Sequence, residues 1–123
     1  MRNLVAFFEI PAVDFVRAVK FYELVLGIEL SVMDCGDAEK MAFFPEEAGK
    51  CPGAISFASN FKPSKDGVLV SLSVENMDGT LSIIENNGGR IIRSKTKIEA
   101  DGMGYFALFI DCEGNRVGLY SDK

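Results

Sequence analysis

Glu9 is the residue of this chain best placed to do chemistry. It follows Phe7 and Phe8 and precedes Ile10. A carboxylate partly withdrawn from water among such neighbours can serve as a general acid or base. The structural alternative pairs Glu9 with a lysine or arginine, such as Arg116, or with a backbone amide, so that it ties a sheet together. What is missing narrows the rest of the chemistry. The chain contains no histidine, so a cysteine nucleophile would lack its usual base and the commonest metal ligand is absent. Cys35, Cys51 and Cys112 form no C-x-x-C pair, which excludes a thioredoxin-like motif and a zinc knuckle. Their odd number, with no secretory signal before them, argues against a disulfide framework. Buried or half-buried thiols are expected. Gly102-Met103-Gly104 leads into a strand rather than a helix, so it is no phosphate loop.

Composition limits the function classes further. The 123 residues suffice for one domain with a proper core, and 48% of them are hydrophobic, too many for a disordered chain. Net charge is −5 and the basic residues are scattered, which argues against a nucleic-acid partner, since that needs a clustered positive face. No apolar run approaches the roughly 20 residues that span a bilayer. Met1-Arg2-Asn3 opens directly onto a strand with no cleavage site. A soluble cytoplasmic protein is expected.

The elements that must position Glu9 read clearly. Leu4–Ile10 is a strand, and Asp14 caps the helix that follows. Phe15, Ala18, Val19, Tyr22 and Leu26 form its apolar stripe, and Gly27 ends it. Strands follow at Ile28–Met33, Glu39–Phe44 and Gly53–Ala58, with a turn at Asp34-Cys35-Gly36-Asp37 and a charged loop around Gly49. A polar segment from Asn60 to Gly67 precedes the next strand, Val68–Val74. Asn76 or Asp78 caps a second helix with Met77, Leu81, Ile84 and Gly88 on one stripe, and Asn86-Asn87-Gly88-Gly89 terminates it. Strands at Arg90–Ser94, Gly104–Ile110 and Asn115–Ser121 complete the chain. Lys95 and Lys97 belong either to a loop over a cavity mouth or to an exposed strand edge protected by lysine.

This is one pattern written twice. Phe7 to Leu69, Asp14 to Asn76 and Gly27 to Gly89 are each 62 residues apart, while Gly49 to Gly114 and Gly53 to Gly118 are each 65 apart. The expectation is a single α+β domain, residues 1–123, built of two tandem βαβββ modules (1–60 and 68–123) joined by a linker at 61–67. One module cannot close its own sheet. Two can curve into a half-open barrel with helices outside and a central cavity.

Ile10-Pro11-Ala12-Val13-Asp14, then Ala18-Val19-Lys20-Phe21-Tyr22 with Leu26-Gly27, and finally Asp111 to Tyr120 in this order resemble the vicinal oxygen chelate superfamily. This is the glyoxalase, bleomycin-resistance and dioxygenase group, and the resemblance covers nearly the whole chain. Its enzymes bind a divalent metal at four strand positions. Carried onto this chain, these are Phe7, Gly53, Leu69 and Gly118, none of which has a lone pair to give. The resemblance therefore implies a protein without the family's metal site, and no cofactor is expected. Alternation along the strands then gives the cavity wall as Phe7, Glu9, Phe43, Gly53, Ile55, Leu69, Ser71, Phe106, Arg116, Gly118 and Tyr120. The aromatic members are equally core candidates. Three classes stay open: a binder of a small apolar or amphipathic molecule, a metal-independent isomerase or lyase using Glu9, and an interaction domain whose pocket is filled. A homodimer is expected because relatives often pair.

Overall fold

A computed structural model describes residues 5–34, 38–46 and 53–123. Leu4, the turn residues Cys35-Gly36-Asp37, the Gly49 loop and the thiol of Cys51 lie outside the described residues. The chain divides into two compact units, Met1–Pro63 and Ser64–Lys123, and each repeats the order βαβββ.

The first unit holds β1 (Phe8–Pro11), α1 (Phe15–Leu26), β2 (Ser31–Asp34), β3 (Glu39–Phe43) and β4 (Gly53–Ala58). Its sheet has the order β1-β4-β3-β2, with β1 parallel to β4 and the other pairs antiparallel. Asp14 caps α1 by accepting from the Arg17 amide at 3.1 Å, and Gly27 closes it in the left-handed region with φ 66°. The buried stripe of α1 is Ala18, Phe21, Tyr22 and Val25. It is rotated from the stripe expected from sequence, leaving Phe15, Val19 and Leu26 half-buried. Phe21 takes that place because its ring stands edge-on to Tyr22, with centroids 5.0 Å apart. Tyr22 in turn meets Phe44 edge-on at 6.1 Å, and Phe44 meets Phe8 at 5.8 Å. This aromatic chain, with Ile10, Ala42 and Ile55, is the core of the unit.

The second unit holds β5 (Ser71–Ser73), α2 (Met77–Asn86), β6 (Arg90–Lys97), β7 (Tyr105–Ile110) and β8 (Arg116–Ser121). Its sheet, β5-β8-β7-β6, repeats the first arrangement. Asn76, rather than Asp78, caps α2 through its side-chain oxygen and the Gly79 amide, 3.1 Å apart. Met77, Leu81 and Ile84 of α2 pack with Ala107, Phe109, Val117 and Leu119 as the core. Gly88 is not on the buried stripe: it lies exposed in the turn after the helix, with φ 94°.

The segment Asp111 to Asn115 is a clamp. Asp111 Oδ1 accepts from the amides of Glu113 and Asn115, both at 2.9 Å. The Asn115 amide nitrogen donates to Asp111 Oδ2 at 3.1 Å, and its side-chain oxygen accepts from the Ser64 amide at 3.0 Å. Both side chains are buried, so this network satisfies groups that would otherwise be costly to desolvate. It fixes the start of β8 against the segment entering the unit. Among the described residues, no helix is long and apolar enough to cross a membrane.

Candidate functional site

In each unit one sheet face packs on the helix and the other does not. In the second unit, β8 alternates between the two. Val117, Leu119 and Ser121 are buried on the α2 side, while Arg116, Gly118 and Tyr120 point the other way. The strand register continues this helix-free face across the sheet. Ser71 lies opposite Gly118, Gly118 opposite Leu108, and Leu108 opposite Arg93. Tyr120 lies opposite Phe106, and Arg116 opposite Ile110, which in turn faces Arg90.

Gly118 lies buried between Ser71 and Leu108. A Cβ built on it would come 2.5 Å from Ser71 Oγ. The Ser71 side chain therefore fills the place that a side chain at residue 118 would take. Tyr120 is half-buried and held at both ends of its hydroxyl: the oxygen accepts from the Gly104 amide at 3.0 Å and the proton goes to Asp122 Oδ1 at 3.2 Å. Phe106 is half-buried, and the Arg93 guanidinium lies 5.3 Å from its ring centroid. Ser71 and Arg116 are exposed. Of the residues expected on the wall, Ser71, Phe106, Arg116, Gly118 and Tyr120 thus share one face, and Leu69, 47% exposed, precedes β5 on the chain.

The first unit corrects the expectation at two positions. Glu9 lies opposite Ala54, and Ala54 opposite Phe43, so Glu9 and the half-buried Phe43 share the helix-free face. Gly53 and Ile55 do not. Gly53 is paired with Phe8, whose ring occupies the place a Cβ would take, and Ile55 is fully buried in the α1 core. The physical reason is register: a one-residue difference in strand pairing moves a residue to the opposite face. Ser71 lies opposite Gly118 while its counterpart Glu9 lies opposite Ala54, so Ala54 is the structural counterpart of Gly118.

Glu9 is exposed rather than withdrawn from water. Phe8 turns away from it towards Gly53, and Phe7, on its own side, is itself 53% exposed. The observed partner of Glu9 is neither an arginine nor an amide. The nearly buried Ser56 donates its hydroxyl to Glu9 Oε1 at 2.8 Å.

Sequence reasoning missed Arg90 and Arg93. Strict alternation would put residues three apart on opposite faces. A bulge between Ile91 and Arg93 shifts the register of β6, and both arginines reach the helix-free face. Lys95 and Lys97 also lie within β6, which runs past Ser94 to Lys97 as the edge strand. Their ammonium groups stand 4.6 and 5.5 Å from the Tyr105 ring centroid, on the edge rather than in a loop.

A sequence model of the glyoxalase/bleomycin resistance protein/dioxygenase superfamily matches residues 4–119. The chain belongs to this superfamily, the vicinal oxygen chelate proteins, and the two tandem βαβββ modules are its fold. Among solved structures it is similar to a glyoxalase I variant from Zea mays, with 20% identity and a TM-score of 0.73 over 94% of this chain and 45% of the maize chain. This chain therefore spans a little under half of that enzyme's length. A hypothetical protein from S. aureus matches with 18% identity and a TM-score of 0.69 over 98% and 95% of the two chains. A fosfomycin resistance protein from Listeria monocytogenes matches with 12% identity and a TM-score of 0.68 over 100% and 94%. At these identities the likeness is one of fold. No curated protein matches the chain.

The superfamily's metal does not fit the residues present. The resemblance puts its positions on Phe7, Leu69, Gly53 and Gly118, and strand register pairs Ala54 rather than Gly53 with the first strand's Glu9. Carbon side chains and a bare glycine offer no lone pair to a divalent ion. Among the described residues, no three of His, Cys, Asp or Glu gather closely enough to hold one.

Proposed function

We propose that this protein binds a small apolar or amphipathic molecule against the helix-free face of its second sheet, without the metal of its superfamily. The observation that carries the reading is the helix-free face of the second sheet, where the half-buried Leu108 and Phe106 give apolar surface and the exposed Ser71 offers a hydroxyl beside them. Apolar walls with a few placed polar groups are the usual make-up of a small-molecule site. A metal would supply Lewis-acid stabilisation of several kcal/mol in the superfamily's reactions, and among the described residues no donor set gathers that would hold it. A thermal-shift screen of apolar and amphipathic compounds tests the reading. A ligand at about 100 times its dissociation constant should add about 2.7 kcal/mol of stability, and a protein that no compound stabilises would overturn it.

A metal-independent isomerase or lyase is the second reading, and Glu9 favours it. Its carboxylate is exposed yet oriented by the Ser56 hydroxyl, as a general base reaching a substrate proton would need to be. Glyoxalase-type turnover with and without added metal, in the native chain and in Glu9→Gln, tests it. The protein is further proposed to act as a homodimer. Val13, Val16 and Leu24, at the start and along the outer side of α1, are 57%, 75% and 45% exposed, which supports a second copy covering that side. Light scattering at a monomer's mass would exclude this.

A further inference from the structure

We propose that Asn87 is a site of spontaneous modification, where deamidation to aspartate or isoaspartate unfastens the end of α2 from the turn that feeds β6. The chemistry begins in the sequence. Deamidation needs the backbone nitrogen of the next residue to attack the asparagine Cγ. A side chain on that next residue obstructs the approach, and glycine removes the obstruction. The other asparagines of the chain precede a leucine, a phenylalanine, a methionine, an asparagine or an arginine, and only Asn87 precedes a glycine. The structure leaves the attacking group accessible. Gly88 is exposed in the turn after α2, with φ 94°, and among the described residues no carbonyl accepts from its amide.

The Gly88 nitrogen, its proton passed to hydroxide, bonds to Asn87 Cγ. The Cγ–Nδ2 bond breaks, and the amide leaves as ammonia with a proton from water. Water then opens the cyclic imide at either carbonyl. One opening gives aspartate, and the other gives isoaspartate, whose main chain runs through the former side chain. The fold decides what this change does. Asn87 Nδ2 donates to the Ile83 carbonyl at 2.7 Å, and the Asn87 backbone amide donates to the Ile84 carbonyl at 3.2 Å. Asn87 thus serves two of the carbonyls that a helix end leaves without partners. A carboxylate in its place only accepts hydrogen bonds, so the tie to Ile83 is lost. It also sets a negative charge at the negative end of the helix, and the product cannot refasten. Isoaspartate further lengthens the main chain just before Gly89, which is packed too closely for even a Cβ, 2.5 Å from Ile84 Cγ2. The same tie slows the reaction, since Nδ2 must leave Ile83 before the ring closes. Local opening of a helix end costs little free energy and permits this.

Storage of the intact protein in warm, mildly alkaline buffer, followed by peptide mapping that separates aspartate from isoaspartate, tests this. Both products should accumulate at residue 87 ahead of every other asparagine, and faster as pH rises. Unfolding in urea should speed the conversion severalfold, because the tie to Ile83 is then open. Asn87→Gln keeps an amide donor but closes the larger ring slowly, so it should abolish the products at this position. Asn87→Asp should reproduce the loosening without storage. Amide hydrogen exchange at Gly89, which donates to the Ile84 carbonyl at 2.9 Å, should be severalfold faster than in the native chain. Asn87 is only half-buried, so both variants should fold, which circular dichroism checks. If Asn87 persists in the stored protein, or converts no sooner than the other asparagines, the site assignment fails. If Asn87→Asp folds and leaves exchange at Gly89 unchanged, the unfastening fails.

Discussion

Gly118 and Ser71 face each other across the parallel pair of β8 and β5, so closely that a Cβ at residue 118 would lie 2.5 Å from the serine hydroxyl. This contact fills the place beside the glycine with the Ser71 side chain. It also separates the two central-strand glycines of the repeat. At Gly118 the obstacle is a hydroxyl that can rotate away, whereas at Gly53 it is the Phe8 ring, packed against Phe44.

Gly118→Ala should therefore change stability by no more than about 1 kcal/mol, since lost backbone freedom in the unfolded chain offsets the adjustment of Ser71. It should still weaken ligand binding by displacing the Ser71 hydroxyl on that face. Gly53→Ala should cost more, about 1 to 3 kcal/mol, because the Phe8 ring must leave its place. Urea denaturation of both variants checks the order.

Asn115→Ala should destabilise the protein by about 1 to 3 kcal/mol. It removes the acceptor for the Ser64 amide and one donor to Asp111 Oδ2 at a buried site. Chemical denaturation measures the loss, and a neutral result would contradict the clamp at the start of β8.

Glu9→Gln retains an oxygen that can accept from Ser56, so stability should shift by less than about 1 kcal/mol. Under the binding reading, ligand affinity at the second sheet is unchanged. A loss of turnover with folding intact would instead favour the catalytic reading.

Tyr120→Phe removes the acceptor for the Gly104 amide and the donor to Asp122. It should cost about 0.5 to 1.5 kcal/mol and loosen the approach to β7. Faster amide hydrogen exchange at Gly104 is the specific readout.

The duplication was legible in the sequence because its signals are local. Asp14 and Gly27 act within a turn or two of themselves, and their capping roles follow from residue type alone, while residue type left the second cap between Asn76 and Asp78. Strand faces depend on pairing. The glycine spacing suggested that Gly53 repeats Gly118, yet the pairing of β1 with β4 makes Ala54 the counterpart, and two expected wall residues lie in the core instead. The β6 bulges leave no mark in an alternating pattern, so Arg90 and Arg93 went unnoticed. The Glu9–Ser56 pair joins residues 47 positions apart, a distance over which neither residue's type signals the other.

The central claim is that carbon and a bare glycine stand where this superfamily places its ion. Metal analysis of protein purified without an affinity tag, from cells grown in metal-replete medium, tests it most directly. The account predicts nickel, zinc, manganese and iron each far below one ion per chain. A single tightly held ion per chain would contradict it.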